Sequence, residues 1–304
     1  MEYILQVKDL HKEYKNFKAL NGINMNVPKG AIYGFVGRNG AGKTTLIRTV
    51  CGLQLPTSGS FTLNGIQSTD KRIYKARECM GAVIETPALF LDMTARDNLI
   101  QQSIIMGIPS YDKINELLAL VGLSDTGKKL ARNFSLGMRQ RLGIALALVG
   151  DPDFLILDEP INGLDPQGII EIRELILKLN RERGITVLIS SHLLDELSRL
   201  ATHYGFIDKG KIITEMTAEE LSSKCRKCIR LELSDTAVFA RVMDSMGYEY
   251  NILDDRSAHL YTDIKFSDLA IALAAEGCDV ISAVKEDESL EGFFMSLVGG
   301  NTDV

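Results

Sequence analysis

No run of apolar residues in this 304-residue chain is long enough to cross a bilayer. About 18 in succession are needed, and the richest run, residues 142–149, stops far short. The opening MEYILQVKDLHKEYK lacks the basic start and apolar centre of a secretory signal. The chain is therefore expected in the cytosol, reaching a membrane only through partners. A basic excess is also missing. With 34 Lys and Arg against 40 Asp and Glu the net charge is −6, which argues against a nucleic-acid surface. From Leu221 onward 8 basic residues face 15 acidic ones, a balance of −7, while the preceding part carries 26 against 25. The acidity thus belongs to the tail. The five cysteines are odd in number and follow no disulfide framework. Cys225-Arg226-Lys227-Cys228 is a lone C-x-x-C without a second pair or a nearby His, so reduced thiols rather than zinc are expected. Internal repeats and low-complexity linkers are lacking as well.

What is present is ordinary globular material, 45% hydrophobic and 24% charged, enough for one large domain and a smaller one. Residues 4–7, 22–27 and 31–36 read as strands, being short, β-branched or alternating, and separated by Asn-Gly and Pro-Lys-Gly turns. A helix over 43–50, stopped by Gly52, is followed by strands at 60–63 and 82–84. Residues 92–149 are mostly helical, divided near Gly107-Ile108-Pro109, Gly122 and Asn133. A strand at 154–157, a helix at 169–180, a buried strand at 186–190 and a helix at 193–201 come next, then a hairpin of 204–208 with 211–214 turning at Lys209-Gly210. Strands alternating with helices predict an α/β sheet carrying a helical insertion. After residue 215 the pattern restarts as a β-α-β-β-α-β unit (strands 228–233, 249–253, 258–261 and 280–284, helices 236–246 and 267–275) with a last helix at 290–298.

Two stretches carry chemistry. Gly37-Arg38-Asn39-Gly40-Ala41-Gly42-Lys43-Thr44-Thr45 fits G-x-x-x-x-G-K-[ST] between a strand and a helix. Its glycines let successive backbone N–H groups turn onto phosphate oxygens, and the helix start adds its positive dipole end. Lys43 is then placed for the β- and γ-phosphates and the Thr44 hydroxyl for Mg²⁺. Four apolar residues, 154–157, predict a buried strand delivering Asp158 at the carboxyl end of the sheet. Asp158 suits Mg²⁺, and Glu159 suits the polarisation of an attacking water. The stretch NFSLGMRQRLGIAL, residues 133–146, is open to two readings, an ordinary helix N-cap at Ser135 or half of a nucleotide site.

Taken together, residues 1–220 resemble the ATP-binding cassette of ABC transporters. Tyr14 stands where that family has its adenine-stacking aromatic, and the phosphate loop follows at 37–45. Phe134-Ser135-Leu136-Gly137-Met138 stands where the signature L-S-G-G-Q belongs, just before the Asp158 strand. Gly163-Leu164-Asp165 resembles the D-loop, and Ser190-Ser191-His192 the switch histidine that contacts the γ-phosphate. The resemblance implies a P-loop NTPase core with an antiparallel β subdomain and a helical subdomain at about 92–149. Residues 221–304 would form a small C-terminal α+β accessory domain. It also implies an ATPase using ATP and Mg²⁺. The nucleotide would lie among Tyr14, Gly37, Asn39, Gly40, Ala41, Gly42, Lys43, Thr44, Thr45, Ser135, Gly137 and Asp165, with Glu159, His192 and Lys43 catalytic and Thr44, Glu85 and Asp158 on the metal.

Because one chain holds one phosphate loop and one signature, the resemblance implies a head-to-tail pair of copies sharing two ATP sites, attached to integral membrane permease subunits at the inner face of the cell membrane. Two positions depart from the family pattern. Glu85 replaces the lid-loop Gln, a trait of the branch that exports drugs and peptide antibiotics, and a carboxylate cannot donate a hydrogen bond unless protonated. Leu136 replaces the first signature Gly and Met138 the Gln, so a weaker grip across the pair and a raised Michaelis constant for ATP are expected. The segment 87–98 resembles the surface that receives permease helices, with Leu89 and Phe90 either in a docking pocket or in the core. The ending 288–298 resembles the L-E-x-x-F close of drug, bacitracin and lantibiotic exporter ATPases. The unit before it is either a packing module or a ligand sensor.

Rival functions are distinguishable. Ribosome-type cassettes carry two cassettes and a basic linker. Chromosome-type cassettes carry long heptads, absent here. A P-loop kinase needs neither the signature nor His192. An importer subunit remains the nearest alternative to an exporter.

Overall fold

The computed structural model describes residues 2–224, 227–262, 264–287, 293, 294 and 297. The chain divides into two compact units, Met1–Ala218 and Glu219–Val304. The first opens with a long hairpin, β1 (Tyr3–Tyr14) and β2 (Phe17–Pro28), then β3 (Ile32–Val36), α1 (Lys43–Val50), β4 (Ser58–Leu63), β5 (Ile66–Gln67), α2 (Ile73–Glu78) and β6 (Met80–Val83). The helices α3 (Ala95–Ile105), α4 (Ile114–Leu120) and α5 (Leu136–Ala147) form the insertion. After it come β7 (Phe154–Asp158), α6 (Pro166–Arg183), β8 (Thr186–Ser191), α7 (Leu194–Ser198), β9 (His203–Asp208) and β10 (Lys211–Thr217). Following α8 (Ala218–Lys224), the second unit holds β11 (Lys227–Leu233), α9 (Thr236–Met246), β12 (Tyr250–Ile252), β13 (Ser257–Leu260), α10 (Phe266–Ala275) and β14 (Val280–Asp287).

Among the described residues three sheets form, ordered β2-β1-β4-β5, β10-β9-β3-β8-β7-β6 and β12-β13-β11-β14. In the six-stranded sheet β6, β7, β8, β3 and β9 run parallel and only the edge strand β10 is antiparallel. Its central strands β3, β7 and β8 are buried at every position, as strands covered on both faces must be. One core joins the first two sheets through α1. Leu46, Ile47 and Val50 of the helix pack with Val7 and Leu20 on one side and Phe35, Phe154 and Ile207 on the other. A buried polar pin adds to it: the Tyr33 hydroxyl donates to Glu215 (2.6 Å), which also accepts the Asn26 amide (2.9 Å). Burial, and then the Glu215 charge, push the Tyr33 phenol well above its ordinary value. The second unit has its own core, with Leu231, Phe239, Met243, Leu260, Leu269 and Leu273 nearly inaccessible.

Helix ends follow their sequence signals. Asp165 caps α6, with Pro166 in its first turn and Gly184 left-handed at its end. Differences from the sequence expectations have local causes. β1 extends to Tyr14 through its polar half because Asp9 (φ 47°) makes a bulge between Val7 and Leu10, shifting register while pairing continues. α7 ends at Ser198, three residues before its expected end. There Leu200, Ala201 and Thr202 turn back into β9, with Thr202 N–H on the Ile32 carbonyl (2.8 Å). β5, α2 and α8 are too short for a periodicity to show. Among the described residues no helix is long and apolar enough to cross a membrane. The C-x-x-C Cys225 falls outside the described residues, as does most of the 288–298 ending.

Candidate functional site

Parallel register brings the chemistry together. Val36, at the end of β3, lies beside Ser191 of β8, and Asp158, at the end of β7, lies beside Ser190 of β8. The loops leaving these three strands therefore converge at the carboxyl end of the sheet. The first is the phosphate loop. Gly42 holds φ 112°, and a Cβ there would meet the Ala19 carbonyl oxygen at 2.6 Å, so only glycine lets the loop lie against β2. Helix α1 begins at Gly42 with no side-chain cap and no acidic residue in its first turn. Its leading N–H groups are left for an anion. Asn39 and Gly40 are exposed at the crest of the loop, while Ala41 and Gly42 are buried and Thr44 and Thr45 half-buried.

Lys43 is only 5% exposed. Its ammonium donates to the Gly37 carbonyl (2.5 Å) and pairs with Glu159 at 3.2 Å. Glu159 in turn meets His192 Nδ1 at 2.9 Å. A carboxylate partner keeps a proton on Nδ1, so Nε2 donates to a phosphate only when the ring holds a second proton. Glu159 adopts φ 52°, rare for a residue with a Cβ. Its N–H is held there by the Ser190 hydroxyl (3.0 Å) and carbonyl (3.2 Å). The Ser190 hydroxyl donates its own proton to Asp158 (2.5 Å). Ser190 thus orients both acids. Its role escaped the sequence reading, although it stands in the same short motif as His192.

Asp158 is 1% exposed, and its Oδ2 has no hydrogen-bond partner. An unpaired buried carboxylate oxygen is costly unless a cation is to meet it. Among the described residues no cluster of three or more His, Cys, Asp or Glu forms a closed metal cage. Mg²⁺ keeps waters and phosphate oxygens in its shell and takes few protein ligands. Asp158 and the Thr44 hydroxyl are the residues present that fit it. Nearby, burial pushes the Cys51 thiol up to about 12, with Arg77 opposing and the Asp158 charge adding. The carboxylate of Glu85, the lid-loop residue expected on the metal, pairs with Arg48 of α1 at 2.9 Å and is 59% exposed.

Tyr14 stands at the hairpin tip, 44% exposed. Ser135 caps α5, its Oγ accepting the Met138 N–H (3.2 Å), and Asp165 caps α6 by accepting the Gly168 N–H (3.1 Å). The two helix starts are neighbours: Leu136 Cδ2 lies 3.4 Å from where a Gly163 Cβ would be, and Leu164 Cδ2 lies 3.9 Å from that of Gly137. Leu136 is 45% exposed over this pair. Among the described residues no hydrogen bond or ion pair joins Ser135 or Gly137 to the phosphate loop. Ser135 and Gly137 stand at the start of α5, and Gly42 and Lys43 at the start of α1, two different helices. Leu136→Gly should open the α5 start to an approaching anion and lower the Michaelis constant for ATP roughly fivefold, the worth of about 1 kcal/mol. An unchanged constant in steady-state assays would show that Leu136 does not limit access.

A family model described as ABC transporter matches residues 20–162. The chain is 41% identical to the bacitracin transport ATP-binding protein BcrA of Bacillus licheniformis, over 99% of both chains. It is 44% identical to the lantibiotic transport ATP-binding protein SrtF of Streptococcus pyogenes, over 70% of this chain and 90% of that protein. Among solved structures, the dimeric ATP-binding cassette MJ0796 in a post-hydrolysis state bound to ADP and Pi aligns with a TM-score of 0.64 at 25% identity, covering 70% of this chain and 98% of that one. The structure of cbiO1 from Clostridium perfringens, part of the ABC transporter complex cbiONQ, aligns with a TM-score of 0.66 at 30% identity, covering 81% and 97%.

Proposed function

This chain belongs to the ABC transporter family as an ATP-binding and ATP-hydrolysing subunit, and from that premise we propose that it powers export of a peptide antibiotic through separate membrane subunits. The observation that carries the proposal is the end-to-end match, over 99% of both chains, to a bacitracin transport ATP-binding protein. Matches confined to the cassette would not separate exporters from importers. A relative of the same full length, accessory unit included, favours the exporter branch.

The working unit is a head-to-tail pair of copies. Lys43, Glu159 and His192 of one copy face Ser135 and Gly137 of the other across ATP, so that two-fold symmetry gives the pair two shared sites. Asp158 and Thr44 would hold Mg²⁺, which when bound would neutralise charge at the phosphates. The phosphate-loop N–H groups and Lys43 bind the phosphates. Glu159, released from Lys43 when a γ-phosphate takes that ammonium, accepts the proton of the attacking water. The strained Glu159 backbone, pinned by Ser190, keeps the carboxylate aimed at that water. Phosphate release weakens the pair and lets it open.

The force leaves through the lid segment. A cavity of about 360 Å³ beside β6 is lined by Val83, Ile84, Thr86, Pro87, Gln102 and Met106. Phe90 of the same segment and Ile104 and Ile105 at the end of α3 are exposed at 47%, 54% and 62%. Buried Asn98 clamps Phe90 in place by accepting its N–H (2.9 Å) and donating to its carbonyl (3.0 Å). Such a patch suits an amphipathic segment of a permease. On this reading the chain works at the inner face of the cell membrane, bound to its permease. Co-expression with its membrane subunits in a sensitive host should raise the inhibitory concentration of bacitracin or a lantibiotic severalfold. The Glu159→Gln chain should return it to baseline. Unchanged sensitivity to both compounds, with the complex assembled and hydrolysing ATP, would overturn the cargo assignment and leave the ATPase intact.

A further inference from the structure

The segment leaving α1 does more than lead into β4. Gln54 accepts the phenol proton of Tyr14 at Oε1 (2.5 Å), and its amide Nε2 donates to the Thr45 carbonyl (2.7 Å) and the Thr49 hydroxyl (3.0 Å). Thr45 closes the phosphate loop, so one half-buried side chain joins both ends of the nucleotide site. The neighbouring contacts zip the same segment onto β1. Lys12 donates to the Leu55 carbonyl (2.8 Å), Glu13 N–H to the Thr57 hydroxyl (2.9 Å), and Thr57 N–H to the His11 carbonyl (2.8 Å). The Lys12 ammonium also lies 5.1 Å from the centre of the Tyr14 ring, within reach of its π-face.

We infer that Gln54 is a positioning residue for the base end of ATP: it holds the Tyr14 ring at a set distance from the phosphate loop. This rests on the reading of Tyr14 as the base-stacking residue. The residue type matters. An aromatic at the tip of a hairpin is free to swing, and a base that stacks on a swinging ring must first immobilise it. The Gln side chain carries an acceptor for the phenol and a donor for the backbone carbonyl at once, which neither a carboxylate nor a hydrocarbon can do. Because the carbonyl belongs to the phosphate loop, the ring is registered to the loop itself rather than to the hairpin. Base and phosphates are then bound at a matched spacing.

The test uses the full chain and equilibrium binding. Gln54→Leu should raise the Kd for ATP about fivefold to tenfold. The KM should rise in parallel, kcat should fall less than twofold, and affinity for inorganic triphosphate, which has no base, should stay the same. Tyr14→Phe, which keeps the ring and removes only the hydroxyl, should give the same rise. The double variant should be no weaker than either single one. An equal loss of triphosphate binding in Gln54→Leu, or losses that add in the double variant, would overturn the positioning role. Tyr14→Ala separates the two levels of the argument. If it leaves ATP binding intact, the reading of Tyr14 fails. If it weakens ATP binding and both Gln54→Leu and Tyr14→Phe do not, that reading stands and the role of Gln54 fails.

Discussion

Replacing Glu159 by Gln is expected to slow ATP turnover by about 10²- to 10⁴-fold, the usual worth of a general base, and to leave a stable ATP-bound pair of chains. Both effects follow from the same atoms. The amide cannot accept the proton of water, so the chemical step stalls. It also cannot ion-pair with Lys43, whose ammonium now sits 3.2 Å from the carboxylate. Lys43 is then free to hold the γ-phosphate without competition, and one negative charge facing the triphosphate is gone. Size-exclusion chromatography with Mg²⁺ and ATP should show the variant at twice the mass of the native chain. Phosphate-release assays should show the lost turnover, and an unaltered melting curve should exclude unfolding. A variant that hydrolyses ATP at the native rate and stays monomeric would remove Glu159 from the role of base.

The second large effect is on binding. Lys43→Met keeps an aliphatic stem of similar length and deletes the ammonium. That ammonium is almost wholly buried and donates to the Gly37 carbonyl at 2.5 Å. Charge-assisted bonds to phosphate oxygens are among the strongest a side chain makes, and losing them should raise the Kd for ATP on the order of 100-fold. The loop itself should hold. Its turn is made by Gly37, Gly40 and Gly42, and the Ala41 carbonyl still accepts the Gly210 N–H (2.9 Å). Glu159 keeps His192 as a partner at 2.9 Å. Titration calorimetry should therefore find binding nearly abolished in a chain that melts within a few degrees of the native one. Affinity for ATP within threefold of native would show that the loop N–H groups carry the binding without Lys43.

The elements that bear these residues were legible because their signals are local. Glycines spaced G-x-x-x-x-G before Lys43-Thr44, four apolar residues ahead of Asp158, and Asp165 before Pro166 each impose a conformation on their own few residues, whatever surrounds them. The order of strands and helices, the helical insertion and the second acidic unit could be read the same way, from periodicity and breaks. Three-dimensional neighbours could not. Ser190 orienting Asp158 and Glu159, Lys43 resting on Glu159, Arg48 holding Glu85, and Gln54 linking Tyr14 to Thr45 join positions that no sequence period relates. The parallel register of β3, β8 and β7 makes the first two of these encounters, by placing Phe35, Ser190 and Asp158 in one row and Val36 beside Ser191 in the next. Glu85 is the clearest case. The family resemblance set it at the lid loop, and the tertiary structure brings its carboxylate to the guanidinium of Arg48, a partner 37 residues away in sequence. By itself the sequence determined which segments make the glycine-rich turn ahead of α1 and deliver the acids at the end of β7, since backbone sterics and burial act over a few residues. Which charges meet, and which are left waiting for a ligand, was decided only when the strands came into register.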